Sequence, residues 1–220
     1  MLFARRSAHV IFDLDGVLLD TEPLYTRATQ EIVGEFGKVF DWSVKGDMIG
    51  RSAIDGARHL VAALGVPLAP EEYLTRRKPI LDALFPIAEP IAGARELVAQ
   101  LAEKRLPLAV ATSSDAYQFR LKTSRHDWFS VFGTIVCGDD PRIAKLKPAP
   151  DIFLVTAEAL GARPEDCLVF EDSLAGVAAA RAAGMQVVAL PDPNMDAGRY
   201  GDAHVVLSSF ADLVLSDVGL

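Results

Sequence analysis

Two aspartates separated by a single leucine, Asp13 and Asp15, follow the apolar run HVIF and lead directly into Gly16. A second acidic pair, Glu171 and Asp172, follows CLVF; the hydroxyls of Thr112, Ser113 and Ser114 follow LPLAVA; Lys147 stands just before Pro148. Carboxylates, hydroxyls and an ammonium gathered at one place suit a phosphate group and a divalent cation. Mg²⁺ is a hard ion that takes carboxylate and carbonyl oxygens and keeps several waters, so Asp13, Asp172 and the main-chain oxygen of Asp15 are its candidate ligands, with Glu171 a weaker second choice. Without a cation, carboxylates packed this closely would repel and raise one another's pKa. A carboxylate can also attack phosphorus, which splits one difficult displacement into two easier ones, and Asp13 is the candidate nucleophile. Asp15 would protonate the leaving oxygen and then deprotonate the hydrolytic water. Thr112, with N–H groups of the following residues at a helix N-terminus, can hold the non-bridging phosphoryl oxygens. Lys147 would neutralise the charge that builds up during transfer, and Gly16 lets the chain turn away sharply.

The elements that must carry these residues follow from hydrophobic period. HVIF reads as a strand that stops at the first acidic pair. From about residue 22 to residue 88 the period is helical, and glycines and prolines between Gly34 and Pro86 divide the stretch into about four helices. Beyond Pro90, helix and strand alternate: helix 93–104, strand 106–111, helix 116–124, strand 134–137, helix 150–160, strand 167–170, helix 174–183, strand 186–190 and a last strand 204–207. Strands separated by single helices pair in parallel with right-handed crossovers, giving a doubly wound α/β sheet. The expected organisation is an α/β core over 1–18 and 89–220 with an all-helical cap, 19–88, inserted after the first strand. In such a sheet the carboxyl ends of the strands share one edge, where ligands bind, and each polar cluster closes or follows a strand.

Composition narrows the function further. At 220 residues, 50% hydrophobic and 24% charged, the chain has the ordinary balance of a folded globular protein. A formal charge of −8, with no cluster of Lys and Arg, disfavours nucleic acid and anionic membranes as partners. The longest apolar run is five residues, 60–64, against the roughly 20 of a membrane span. No apolar stretch of roughly 7 to 15 residues stands near the N-terminus, so the expectation is a cytoplasmic protein; no heptad seam is visible, so the expectation is a monomer. Cys137 and Cys167 sit in or beside apolar runs and read as buried thiols. His9, His59, His126 and His204 are scattered and form no zinc-like pair. Dinucleotide, P-loop, esterase-elbow and zincin motifs do not occur, and Gly16 comes too early for a calcium loop. Taken singly, each polar cluster has a plainer reading: a helix cap for the hydroxyls, a surface lysine, first-turn acids. Their joint placement at strand ends is what points to chemistry.

VIFDLDGVLLDTE, AVATSS, KPAPDIF and VFEDSLAGVAAARAAGM, in that order, resemble the four motifs of the haloacid-dehalogenase-like superfamily of aspartate-nucleophile phosphotransferases, over residues 10 to about 190. The resemblance implies Asp13 as nucleophile, Asp15 as acid and base, Thr112 and Ser113 at the phosphate, Lys147 as phosphate ligand and orienter of Asp13, and Asp172 as magnesium ligand. True dehalogenases lack the second aspartate, so Asp15 points to phosphate esters. DTEPLY and LKTSRHDWFSVFGTIVCGDDP look most like the pseudouridine 5'-phosphatase and glycerol-phosphate phosphatase group. The related β-phosphoglucomutases carry a histidine where this chain has Tyr25. Arg51 in MIGRS lies where relatives often place a basic residue that reaches down to the substrate, and Glu22 lies at the hinge mouth; both are candidate substrate contacts. The function these features imply is Mg²⁺-dependent hydrolysis of a small phosphate monoester of a sugar, polyol or nucleoside. A phosphomutase and a phosphometabolite-binding protein without turnover are the alternatives.

Overall fold

The structure, a computed structural model, describes residues 6–48 and 52–220. In chain order the elements are β1 (His9–Phe12), β2 (Leu19–Asp20), α1 (Glu22–Gly34), α2 (Trp42–Met48), α3 (Ala53–Leu64), α4 (Pro70–Leu84), β3 (Glu89–Pro90), α5 (Ala94–Glu103), β4 (Leu108–Thr112), α6 (Ala116–Thr123), β5 (Thr134–Cys137), α7 (Asp151–Leu160), β6 (Cys167–Glu171), α8 (Leu174–Ala182), β7 (Gln186–Ala189) and β8 (Val205–Val206). They form two compact units, one running up to Asp20 and resuming at Glu89, the other Thr21–Ala88.

The first unit is built on a six-stranded sheet of order β5-β4-β1-β6-β7-β8 in which every neighbour pairs in parallel. β4, β6 and β7 are buried at every position, as expected for strands of a parallel sheet covered on both faces. Successive side chains alternate between faces. Ile11, Ala109, Val169 and Val187 pack with α7 and α8 residues such as Ile152, Phe153 and Val177. On the register pair Phe12↔Phe170 the two rings stack, with centroids 4.9 Å apart, and Phe132 and Phe210 extend the row at 6.0 and 5.8 Å. Gly93, at φ +84, lets α5 begin against Phe210, whose Cβ would lie 3.0 Å from a Cβ there. β2 and β3 form a short antiparallel ribbon, Leu19↔Pro90 and Asp20↔Glu89, which is why the unit extends to Asp20. Two-residue strands carry no period, so hydrophobic pattern does not reveal them. Cys137 and Cys167 are buried free thiols.

The second unit consists of α1 to α4 around Ile32, Val33, Ala57, Leu60 and Tyr73. Ser52 caps α3 by accepting the Asp55 N–H, and Gly65 ends it in the left-handed region at φ +61. Tyr73 is buried and shares a 2.8 Å hydrogen bond with Thr29. No helix among the described residues is long and apolar enough to cross a membrane.

The stacked pair carries a stability prediction. Phe170→Ala is expected to cost about 3–5 kcal/mol, the range for deleting a buried aromatic ring. Val39→Ala, at a position 68% exposed, should stay within about 0.5 kcal/mol. Urea unfolding of the two variants would separate these outcomes.

Candidate active site

β1 ends at Phe12, yet the ladder runs one bond further: the Asp13 N–H donates to the Phe170 carbonyl at 2.9 Å. That bond fixes the backbone of Asp13 beside the end of β6 and places its carboxylate at the strand ends, buried. The Lys147 ammonium donates to Asp13 Oδ1 at 2.5 Å, to Glu171 Oε1 at 2.6 Å and to the Ala111 carbonyl at 3.2 Å. Three N–H groups thus meet acceptors from the ends of three neighbouring strands. Two features hold the loop that supplies Lys147, whose peptide bond to Pro148 is cis. Asp151, in the first turn of α7, accepts from the N–H groups of Ala144 and Lys145 at 3.0 and 2.9 Å. The Phe153 ring lies 5.0 Å from the ammonium.

The electrostatics follow from burial. The Asp13 carboxyl is raised to about 7: loss of water pushes it up most, Lys147 pulls it down, and the charges of Glu171 and Asp15 add to the rise. Burial alone would lower the Lys147 pKa, but Asp13 and Glu171 more than offset this and hold it above the usual lysine value. Lys147 is therefore a fixed positive charge in a site rich in carboxylates.

Asp15 has its own ammonium. Lys122, fully buried on α6, donates to Asp15 Oδ1 at 2.6 Å, to Asp15 Oδ2 at 2.9 Å and to Ser114 Oγ at 2.7 Å, and the Ser114 hydroxyl donates to Asp15 Oδ2 at 3.0 Å. Sequence reading passed over Lys122. The available signal was its position three residues after Phe119, the other buried residue of α6, which puts a charge on the buried face of the helix.

Thr112 is the last residue of β4 and is buried, and Ser113 next to it is exposed. Three of the N–H groups that follow Thr112 have partners within the protein. Ser114 N–H donates to Thr112 Oγ1 at 3.1 Å, Ala116 N–H to Asp139 at 3.0 Å and Gln118 N–H to the N-cap Asp115 at 2.7 Å. Two of these three N–H groups, at the start of α6, are thus met by carboxylates.

Glu171 also differs from its sequence assignment. One of its oxygens receives Lys147, and the other accepts from the Ser173 N–H at 2.9 Å and the Ser173 hydroxyl at 3.0 Å. Both oxygens are used in holding Lys147 and the start of α8, so the weaker metal assignment for Glu171 gives way to a positioning one. Asp172 lies against Gly16: a Cβ on Gly16, whose φ is +76, would overlap the Asp172 carboxylate. The Asp172 carbonyl accepts from the hydroxyl of buried Tyr200 at 2.7 Å, and burial with the charges of Asp172 and Glu171 pushes that phenol up to about 12. In the helical unit Glu22 is ion-paired with Lys45 at 2.9 Å, and Lys45 also donates to Thr26 at 3.0 Å. Arg51 lies outside the described residues.

Among the described residues no group of three or more His, Cys, Asp and Glu side chains gathers as a metal cage. Mg²⁺ does not need one, since it is commonly held by one or two carboxylates with waters completing the octahedron. Two observations fit such an ion. The space left by the missing Cβ of Gly16 is filled by a carboxylate, and Asp13 is pushed up by burial and then by the charges of Glu171 and Asp15, which a cation would offset.

A parallel sheet with buried carboxylates, an ammonium and hydroxyls at the carboxyl ends of its central strands defines an α/β enzyme that works at that edge. The chain belongs to the haloacid dehalogenase-like hydrolase family, whose match covers residues 8–184. It is 43% identical over 218 residues to "(DL)-glycerol-3-phosphatase 2" of Arabidopsis thaliana, covering 96% of this chain and 91% of that protein. It is 42% identical over 220 residues to the "Probable pseudouridine-5'-phosphatase" of Drosophila melanogaster, covering 98% and 95%. Among solved structures, CbbY from Rhodobacter sphaeroides in complex with phosphate superposes with a TM-score of 0.77 at 26% identity, covering 97% of this chain and all of that one.

One glycine tests the packing of the site. A Cβ on Gly176, inside α8, would overlap the Glu171 carboxylate. Helix propensity alone predicts that Gly176→Ala stabilises by about 1 kcal/mol. Overpacking against Glu171 reverses the sign, and a net loss of about 1–3 kcal/mol is expected in urea unfolding.

Proposed function

We propose that the chain is a Mg²⁺-dependent phosphomonoesterase acting on a small phosphorylated metabolite through an aspartyl phosphate on Asp13. The observation that carries this reading is the pairing of two carboxylates with separate ammonium groups: Asp13 with Lys147, and Asp15, two residues on, with Lys122. One carboxylate is thereby oriented to attack and its neighbour to move a proton.

Asp13 attacks phosphorus as the bond to the leaving alcohol breaks, and Asp15 gives that oxygen its proton. Lys147 lowers the Asp13 pKa against the upward push of burial and meets the charge of the transferring phosphoryl group. Thr112, with main-chain N–H groups that follow it, and Ser113 are assigned to the phosphoryl oxygens. In the second step a water attacks phosphorus, Asp15 takes its proton, and phosphate leaves with the Asp13 carboxylate restored. Asp13, Asp172 and the main-chain oxygen of Asp15 would hold Mg²⁺, which would supply positive charge beside the carboxylate and the phosphate. The names of the relatives support polyol and nucleoside monophosphates as the substrate class. Substrate selection is assigned to the helical unit, with Glu22 and Arg51 as candidate contacts.

The test is phosphate release from a panel of sugar, polyol and nucleoside monophosphates. Asp13→Asn is expected to lower turnover by at least about 10³-fold; turnover at the unmodified rate would end the nucleophile assignment. Chelation should abolish activity and added Mg²⁺ restore it. Independently of turnover, Mg²⁺ should raise the thermal unfolding midpoint of the unmodified protein and raise it less in Asp172→Asn. Isomerised hexose phosphate without net phosphate release would favour a phosphomutase.

A further inference from the structure

We infer that Lys122 is a positioning residue that, with Ser114, fixes the carboxylate of Asp15 for proton transfer to the leaving group. The inference rests on the phosphatase reading and deepens it, tying the Lys122–Asp15 pairing to protonation of the leaving group. The geometry is a closed triangle: ammonium to both carboxylate oxygens, ammonium to serine hydroxyl, hydroxyl to carboxylate. Such a clamp fixes the rotation of the Asp15 side chain as well as its distance.

Burial gives the argument its weight. The Lys122 side chain is 0% exposed while that of Asp15 is 24% exposed, so the clamp grips Asp15 from the protein side and leaves part of its carboxylate facing solvent. A fully desolvated ammonium is costly unless its partners are well placed, and a methionine of similar length would fill the same space without that cost. Phe119, one turn earlier, already anchors this face of α6 in the core. Packing therefore does not account for the charge, whereas orientation of Asp15 does. Lys147 is engaged with Asp13, Glu171 and Ala111, so the two ammonium groups serve different carboxylates.

The test uses the leaving group. An alkyl phosphate expels an alkoxide that must be protonated as it departs, while p-nitrophenyl phosphate expels a stable phenolate that need not be. The kinetic constant kcat/KM reports events only up to release of that group. In the full-length protein with Mg²⁺, Lys122→Met is expected to lower kcat/KM for the best alkyl ester of the panel by about 10²-fold. For p-nitrophenyl phosphate the loss should stay below about 10-fold, since that step needs little acid assistance. Ser114→Ala removes one side of the triangle and should show the same discrimination with a smaller loss, so it carries the test if Lys122→Met does not fold. Folding is checked by the urea unfolding midpoint. Equal losses on both substrates mean general damage to the site and overturn the inference, as does no loss on either. If Asp13→Asn is inactive while the Lys122 and Ser114 variants behave as the unmodified protein, the positioning inference alone falls. If Asp13→Asn retains full activity, the phosphatase reading falls with it.

Discussion

A lysine ammonium with almost no access to water sits between two carboxylates, and the arrangement of the whole sheet edge depends on it. Lys147 is 7% exposed, Asp13 10% and Glu171 1% at the side chain. Charges this dry are tolerated only when paired and hydrogen-bonded on every side, and removing one partner leaves an uncompensated charge. The requirement propagates outward. Asp13 is fixed by the ladder bond to Phe170, Glu171 by Ser173 at the start of α8, and Lys147 by Asp151 and Phe153 of α7. Side chains from distant stretches of chain are thus held within hydrogen-bond distance by ordinary secondary structure.

Close approach is the second constraint, and it explains the glycines. A carboxylate pressed against backbone leaves no room for a Cβ, so Asp172 requires Gly16 and Glu171 requires Gly176. At Gly16 the positive φ adds a second reason, because the chain turns there through the left-handed region immediately after Asp15. Helix starts near the site are self-satisfied in the same spirit. Asp115 and Asp139 take the first N–H groups of α6, and Ser173 takes one from α8.

The helical unit follows a different logic. Its core is closed by aliphatic side chains and by the buried Tyr73–Thr29 hydrogen bond, and its charged groups are largely paired with one another, as in Glu22–Lys45 and Arg76–Glu35. Tyr25 lies edge-on to Phe85 at 5.5 Å, with Arg77 5.8 Å from its ring. Tyr25 is thus an aromatic ring packed within its own unit.

The amino-acid order alone determined the parallel sheet and the residues at its edge. Strands covered on both faces must be continuously apolar, so the first polar residues after HVIF, LPLAVA and CLVF necessarily fall at strand ends. Sequence did not reveal the β2–β3 ribbon, too short to carry a period, or the occupied N–H groups at the start of α6. Nor did it reveal which ammonium serves which acid. Lys147 and Asp13 are 134 residues apart and Lys122 and Asp15 are 107 apart. Periodicity tells which face of an element a side chain occupies, but not which side chain of another element it meets. Only the tertiary structure decided that Glu171 holds Lys147, that Lys122 faces inward to Asp15, and that Gly16 and Gly176 are clearances. Each of these depends on distances of a few ångströms between elements, set by packing rather than by local sequence.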